Sequence, residues 1–209
     1  MKPTDPVSSF CRKGRIVSRT NNGAKDMEMR KSLRDALAVI HDRRSVRDFT
    51  DAAVGEEALD LIVRAGMSAP TARNMQPWSF IVATGRETLD SLAEGLPYGK
   101  MLGRAAAAIT VCAIPEEANN GSVELAIVDC TCASENILIA AEAMGLGAVW
   151  VAAYPYEERM AHVRNVQHIP DTVIPLCVIP LGHPTVVKPP IDKYKPEKIH
   201  RERWQASCA

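Results

Sequence analysis

The chain of 209 residues contains 46% hydrophobic and 24% charged residues, which predicts one sizeable folded domain and excludes extensive disorder. Its 25 basic side chains balance 25 acidic ones, so we expect no general attraction for nucleic acid. The uncharged stretch 143–156 is shorter than the roughly 20 apolar residues of a membrane span, so we expect no membrane association either.

Cysteine usage favours a reducing compartment. The six cysteines are too sparse for a disulfide scaffold and no apolar signal segment is expected before them, which predicts a cytoplasmic protein. Cys130 and Cys132 form a C-x-C motif in an apolar helical stretch, where residues two apart point to different sides of the helix. We therefore expect buried thiols at this motif and no metal site.

The first 26 residues differ in character from the rest of the chain. Residues 1–26 carry six basic and two acidic side chains, a net charge of +4, and have no apolar periodicity. This composition predicts a flexible basic N-terminal arm, which would be either a tether to an anionic surface or an extension without a role. The second interpretation is favoured because the arm lacks interleaved aromatic residues. Residues 27–209 are predicted to form the folded domain.

Periodic apolar residues predict the elements of this domain. A first helix begins behind Ser32, where apolar residues recur at three- and four-residue spacing. The other predicted elements are helices at 56–65, 86–94 and 156–163, and strands at 78–84, 106–114, 148–153 and 172–181. Helices and strands alternate without internal repeats, which leaves an α+β or an α/β class with a central sheet.

One predicted helix, over 122–144, is unusually long and apolar. The stretch contains neither proline nor glycine and is apolar on nearly every side, which predicts burial all round. At 1.5 Å per residue it would extend about 35 Å, more than one domain of this size can enclose. A homodimer that shares the helix is the most economical explanation.

The familiar motifs of hydrolases, metalloproteases and nucleotide-binding proteins are missing from the sequence. If the protein is an enzyme, we therefore expect a bound cofactor to carry out the reaction.

One candidate site is RRSVR at 43–47. Alternate residues of an extended segment face the same way, so Arg43, Ser45 and Arg47 could present two guanidinium groups and a hydroxyl to a phosphate and an adjoining polar ring. A solvated basic turn is the open alternative.

A second candidate site is APTARNMQPW at 69–78, directly before the first predicted strand. Its two prolines make the loop stiff, and Thr71 and Asn74 offer hydrogen bonds without bulk. Rigid polar loops of this kind are more often binding loops than simple connections.

Together with GLGAVWVAA at 145–153 and KIHRERW at 198–204, these two motifs resemble the FMN-dependent nitroreductase superfamily. The resemblance extends over roughly residues 30 to 204, in the same order, and leaves out only the N-terminal arm. It implies a nitroreductase-like α+β fold, in which a central, mostly antiparallel sheet is flanked by helices and a long buried helix lies at the dimer interface. It also implies an obligate homodimer with FMN at the subunit interface.

The resemblance assigns roles to the RRSVR residues. Arg43 and Ser45 look like contacts to the phosphate and ribityl chain, and Arg44 looks like a backbone support for them. Arg47 looks like the residue at the pyrimidine end of the isoalloxazine ring. A cation there would stabilise the negative charge that the flavin gains near N1 and C2=O.

Three further groups of cofactor-binding residues follow from the resemblance. The loop that would reach FMN from the partner chain contains Pro70, Thr71, Ala72 and Asn74. The segment beside the flavin contains Trp150, Val151, Ala152 and Ala153. The Ala152 backbone N–H is the candidate donor to N5, and no catalytic side chain is expected. Lys193 and Lys195 match two basic residues that close on the phosphate.

The sequence departs from the family pattern at several of these positions. Ala152 stands where some members carry Glu, and Lys193 and Lys195 stand where Arg is common. Arg73 occupies a position that is usually small or apolar and adds a cation near the expected mouth of the site. It is either a substrate contact or a solvated loop residue.

The resemblance implies an NAD(P)H-dependent flavoenzyme. Hydride would pass from NADH or NADPH through the flavin to a small oxidised acceptor, such as a nitroaromatic or a quinone, in a ping-pong reaction. Reductive dehalogenation and flavin fragmentation are alternative reactions of such a scaffold. A non-catalytic protein that binds or senses flavin, and an apolar dimerisation module without a cofactor, are the other interpretations.

Overall fold

The computed structural model describes residues 36–204, so the predicted arm over 1–26 and the expected helix start at Ser32 lie outside the described residues. The first two described helices are α1, Ala36–Asp42, and α2, Glu56–Met67. Helix α2 buries Leu59 and Ile62, as the apolar spacing predicts.

Within the described residues, five strands form one antiparallel sheet in the order β1-β2-β5-β3, with β4 also paired to β5. The strands are β1 Trp78–Ala83, β2 Ala107–Ala113, β3 Gly147–Ala148, β4 Val151–Ala152 and β5 Ile174–Gly182. The central strands β2 and β5 are buried along almost their whole length because helices cover both faces of the sheet. This arrangement confirms the α+β class.

The predicted strand over 148–153 is interrupted, which corrects the sequence prediction. Strands β3 and β4 share one register against β5, since Ala148 pairs with Leu181 and Val151 with Val178. Pro180 lies between these two partners. Leu181 accepts from Ala106 N–H on the other side of β5, so the neighbouring Pro180 faces the gap. Proline has no N–H to donate, and the ladder is therefore broken there.

Helices cover both faces of the sheet. Helices α2 and α4, Val123–Ala143, pack on one face, and α3, Arg86–Gly95, and α5, Glu157–Gln167, pack on the other. The alternation of β2 separates the two cores, because Ile109 and Val111 lie in the first core and Ala108 and Cys112 in the second.

Helix α4 is the long helix that the sequence predicts. Ser122 caps its N-terminus, where Oγ accepts the Leu125 N–H at 3.2 Å. The expectation of burial on all sides is not met within one chain, because Val128 is 55% exposed and Thr131 and Glu135 lie on the same exposed face. No helix among the described residues is long and apolar enough to cross a membrane.

The C-x-C cysteines point to different sides of α4, as expected. Cys130 is buried and its thiol lies 3.5 Å from the Pro77 carbonyl oxygen, whereas Cys132 is partly exposed. Burial raises the pKa of Cys112 and of Cys177 to about 12 and also raises the pKa of Cys130. These thiols stay protonated at neutral pH, and the thiolate is the form that acts as a nucleophile or metal ligand. Within residues 36–204 we find no group of His, Cys, Asp or Glu side chains that could hold a metal ion.

Candidate functional site

The RRSVR segment lies along the free edge of β3. Ser45 forms a parallel bridge with Ala148, and the Val46 N–H donates to the Ala148 carbonyl at 2.9 Å. Gly147 allows this approach, since a Cβ at that position would lie 2.5 Å from Val46 Cγ1 and 2.7 Å from Val46 Cβ. Beyond Arg47 the chain runs beside the segment that follows β5, since the Thr50 N–H donates to the His183 carbonyl at 2.8 Å and the Thr185 N–H donates to the Asp48 carbonyl at 3.2 Å.

The backbone of Ala152 faces the same free edge. The Ala153 N–H donates to the Leu176 carbonyl on β5 at 3.1 Å, and neighbouring residues of a paired strand direct their backbone groups to opposite sides. The Ala152 N–H and C=O therefore point away from β5. The C=O accepts from Arg159 Nη1 at 3.3 Å, which agrees with this orientation.

A cavity of about 980 Å³ opens beside this edge. Its volume is within the range of cofactor and ligand sites, roughly 300–1,000 Å³. Arg44, Ser45 and Arg47 line one side and residues 184–190 the other, and an Arg44 guanidinium nitrogen donates to the Pro189 carbonyl across it. Two guanidinium groups and a hydroxyl suit an anion such as phosphate. The lining also includes Asp42, Asp48, Glu142, Gly145 and Leu146.

Arg43 lies outside the cavity. Its Nε is 3.2 Å from Glu135 Oε1 on α4, and the Arg43 side chain is 21% exposed. The structure therefore brings Ser45 and Arg47 together at the cavity and directs Arg43 toward α4. The sequence did not single out Glu135, because the ion pair depends on how α4 packs beside residues distant in the chain.

The APTARNMQPW loop is held by hydrogen bonds to α4 and within itself. The Ala72 N–H donates to the Asp129 carboxylate, at 3.2 Å to Oδ1 and 3.3 Å to Oδ2. The Gln76 N–H donates to Thr71 Oγ1 at 3.1 Å. Asp129 is 4% exposed, and sequence reasoning missed it because it lies within an apolar helix.

Three non-glycine residues of this loop have left-handed backbone conformations. The φ angles of Arg73, Asn74 and Gln76 are 53°, 58° and 56°, and all three residues are exposed. Such conformations cost free energy and are often found at binding sites. The residues from Pro70 to Asn74 lie outside the cavity of their own chain.

The remaining predicted site residues do not line the cavity. Trp150 is partly buried against the core on the α2 and α4 side, and Val151 and Ala153 are buried. Lys193 and Lys195 are exposed and follow the segment that lines the cavity. The structure thus brings Ser45 and Arg47 together at the cavity, whereas the Ala152 backbone lies farther along the same free edge and does not line the cavity.

A helix-covered antiparallel sheet with a cofactor-sized, anion-suited cavity at its edge defines the structural class of this protein. Comparison with known proteins then gives its family. The model of the Nitroreductase family matches residues 40–96 and 90–183, and the chain belongs to this family.

Three relatives illustrate the similarity. A protein of Archaeoglobus fulgidus with the provisional name NADH dehydrogenase/NAD(P)H nitroreductase is 40% identical over 175 residues, 82% of this chain and 100% of the relative. A crystal structure from Bacteroides thetaiotaomicron with the same provisional name has a TM-score of 0.76 and 48% identity, covering 81% of this chain and 98% of that chain. An FMN-dependent nitroreductase from Clostridium difficile has a TM-score of 0.74 and 25% identity, covering 80% and 99%.

The close approach at Gly147 makes a testable prediction. Gly147→Ala places a methyl group against Val46, and overpacking of this kind should lower the free energy of unfolding by about 1–3 kcal/mol in urea denaturation. Gly103→Ala is the control, since the nearest heavy atom to its added Cβ would be 3.7 Å away. Equal losses in the two variants would contradict the role given to Gly147.

Proposed function

We propose that this protein is an NAD(P)H-dependent flavoprotein oxidoreductase that binds FMN at the β3–β4 edge. The observation that carries the proposal is the placement of Ser45 and Arg47 at a cavity of about 980 Å³, on the sheet edge along which the outward Ala152 N–H also lies. The names of the relatives from Archaeoglobus fulgidus and Clostridium difficile support the nicotinamide donor and the flavin.

The residues at the edge fit the parts of FMN. Arg44 and Ser45 would hold the phosphate and ribityl chain, with Lys193 and Lys195 closing over them from the C-terminal segment. Arg47 would face the pyrimidine end of the ring, where a fixed positive charge favours the reduced form. The Ala152 N–H would donate to N5. Arg43, paired with Glu135, would support the anchor from outside the cavity.

The protein's own contribution to the reaction is binding and orientation. Bound FMN supplies the two-electron chemistry. NADH or NADPH would bind first and leave, and a small oxidised acceptor such as a nitroaromatic or quinone would then use the same space in a ping-pong sequence. The chain need supply no acid or base side chain, since it fixes the geometry of the reacting partners and excludes water between them.

The visible spectrum tests this proposal directly. Purified protein reconstituted with FMN should show bound-flavin absorption that bleaches on addition of NADH or NADPH without oxygen. It should recover when a nitroaromatic or quinone is added. Bound flavin that neither nicotinamide bleaches would indicate a flavin-binding or sensing protein instead. Protein that stays colourless would contradict the cofactor itself.

Replacement of Arg47 should weaken cofactor binding. Arg47→Ala removes charge-assisted hydrogen bonds worth roughly 1.5–3 kcal/mol, which corresponds to about a ten- to hundredfold loss of FMN affinity. Flavin fluorescence titration of the apoprotein measures this loss. The control is Arg64→Ala, which removes an exposed arginine from the last turn of α2. An unchanged dissociation constant in Arg47→Ala would place the flavin elsewhere.

We also propose that the protein is a homodimer. The exposed face of α4 carries Val128 beside Thr131 and Glu135, and α2, which packs on α4, exposes Leu61 and Met67, so a second copy would cover several apolar side chains. The residues from Pro70 to Asn74 lie away from the cavity of their own chain and would serve the site of the partner. One protomer alone would then offer an incomplete site.

Sedimentation velocity tests the dimer. Wild-type protein should sediment as a dimer at nanomolar concentration, and Val128→Glu should release monomer, because it adds a charge to an apolar interface. Val82→Glu is the matched control, since Val82 is 43% exposed on β1. A stable folded wild-type monomer would refute the assembly.

Arg73 should influence the choice of substrate. If the 70–78 loop borders the flavin site, the exposed guanidinium favours the extra phosphate of NADPH or an acidic acceptor. For an exposed cation the effect is roughly 0.5–1 kcal/mol, at most several-fold in kcat/KM. Arg73→Ala should reduce kcat/KM for NADPH more than for NADH at low salt, and screening should remove the difference at high salt. Equal losses of kcat/KM for NADH and NADPH would show that Arg73 is a solvated loop residue without a substrate contact.

A further inference from the structure

Arg159, near the start of α5, is held between two tyrosine rings. Its guanidinium carbon lies 3.8 Å from the centre of the Tyr156 ring and 5.7 Å from the centre of the Tyr98 ring. Cation–π contacts of this kind restrict a side chain that is otherwise highly flexible. Tyr98 and Tyr156 are 72% and 51% exposed, so the two rings serve this cation rather than the core.

The hydrogen bond of Arg159 goes to the backbone of the candidate site. Nη1 donates to the Ala152 carbonyl at 3.3 Å, and within residues 36–204 the structure shows no carboxylate paired with this guanidinium. Because Ala152 directs its C=O and its N–H to the same free edge, the bond holds the carbonyl of the residue whose N–H would meet N5.

The backbone at Ala152 is held on its β5 side by the Ala153 N–H, which donates to the Leu176 carbonyl at 3.1 Å, and Arg159 adds a contact on the outer side. Strand β4 is two residues long, and the ladder before it is broken opposite Pro180. Beyond it the chain turns away, since the Tyr156 N–H donates to the Ala153 carbonyl at 3.0 Å. The sheet therefore fixes Ala152 only from the β5 side, and Arg159 restrains it from the outer side.

We infer that Arg159 is a positioning residue, which holds the Ala152 carbonyl and leaves a fixed positive charge beside the N–H of the same residue. This inference rests on the proposed function, because it concerns the N–H that would face N5. The carbonyl belongs to the 152–153 peptide and the N–H to the adjoining 151–152 peptide, so loss of the restraint would loosen the backbone next to that N–H. Loss of the charge would weaken the binding of reduced FMN relative to oxidised FMN.

The same helix provides a matched control. Arg164 also lies on α5 and also donates to a backbone carbonyl, from Nε and Nη2 to Val173 O at 3.3 and 3.2 Å. Val173 directly precedes the interior strand β5 and is not part of the β3–β4 edge. Arg164→Gln therefore removes an arginine–carbonyl contact of the same kind without touching Ala152.

The experiment compares FMN-loaded wild-type protein with Arg159→Gln, Arg159→Lys and Arg164→Gln. In Arg159→Gln, reduced FMN should bind three- to tenfold more weakly relative to oxidised FMN. A tenfold change lowers a two-electron midpoint potential by about 30 mV. We expect kcat to fall with little change in KM for the nicotinamide, and Arg159→Lys to recover part of the potential. Arg164→Gln should lower the melting temperature and leave the potential unchanged.

The outcomes separate this inference from the proposed function. A midpoint potential in Arg159→Gln equal to that of wild type, or a shift no larger than that of Arg164→Gln, would make Arg159 a structural residue only. Wild-type protein that binds FMN and is reduced normally would in that case preserve the proposed function. Wild-type protein that takes up no FMN would overturn both.

Discussion

The backbone contact between residues 45–46 and Ala148 determines where the site can form. It attaches the segment after α1 to the open edge of the sheet, and it positions Ser45 and Arg47 through main-chain geometry rather than through their own side chains. Gly147 makes the contact sterically possible. The cavity and its lining by Arg44, Ser45 and Arg47 follow from this attachment.

Pro180, in the interior of β5, divides this edge into the two short strands β3 and β4. An exposed sheet edge is a hazard, since its unpaired N–H and C=O groups can pair with other chains. Here two carbonyl groups of the edge accept hydrogen bonds from other parts of the same chain. Val46 takes the carbonyl of Ala148 and Arg159 takes the carbonyl of Ala152. The Ala152 N–H also points away from β5, toward this free edge.

Local features of the fold could be predicted from the sequence, and contacts between distant segments could not. Apolar periodicity gave the start of α2 and, within one residue at each end, the limits of β1 and β2, because those signals lie within the elements. The interruption between β3 and β4 depends on Pro180, on another strand, and was missed. Composition alone suggested that α4 is buried all round, whereas one chain leaves Val128 exposed.

The candidate site shows the same division. The RRSVR and APTARNMQPW motifs identified several of its residues, and the family resemblance assigned Arg47 and Ala152 to the same ligand, FMN. Glu135, Asp129 and Arg159 were not singled out, since each acts through a partner far away in sequence or through a backbone group. The sequence does offer one signal for Asp129, because a charged residue within an otherwise apolar helix indicates a specific polar partner.

The left-handed loop over 73–76 has a consequence for how the molecule folds. Each non-glycine residue in that region costs on the order of 1–3 kcal/mol, and the Ala72 bond to Asp129 is among the contacts that offset this cost. Asp129 is in place only once α4 has packed on the sheet, so the loop should order late in folding. For the same reason it should open before the core does in native-state fluctuations. In the dimer proposed above this loop would form a wall of the partner's site, and its independent opening would admit and release ligands while the remainder of the protein stays folded.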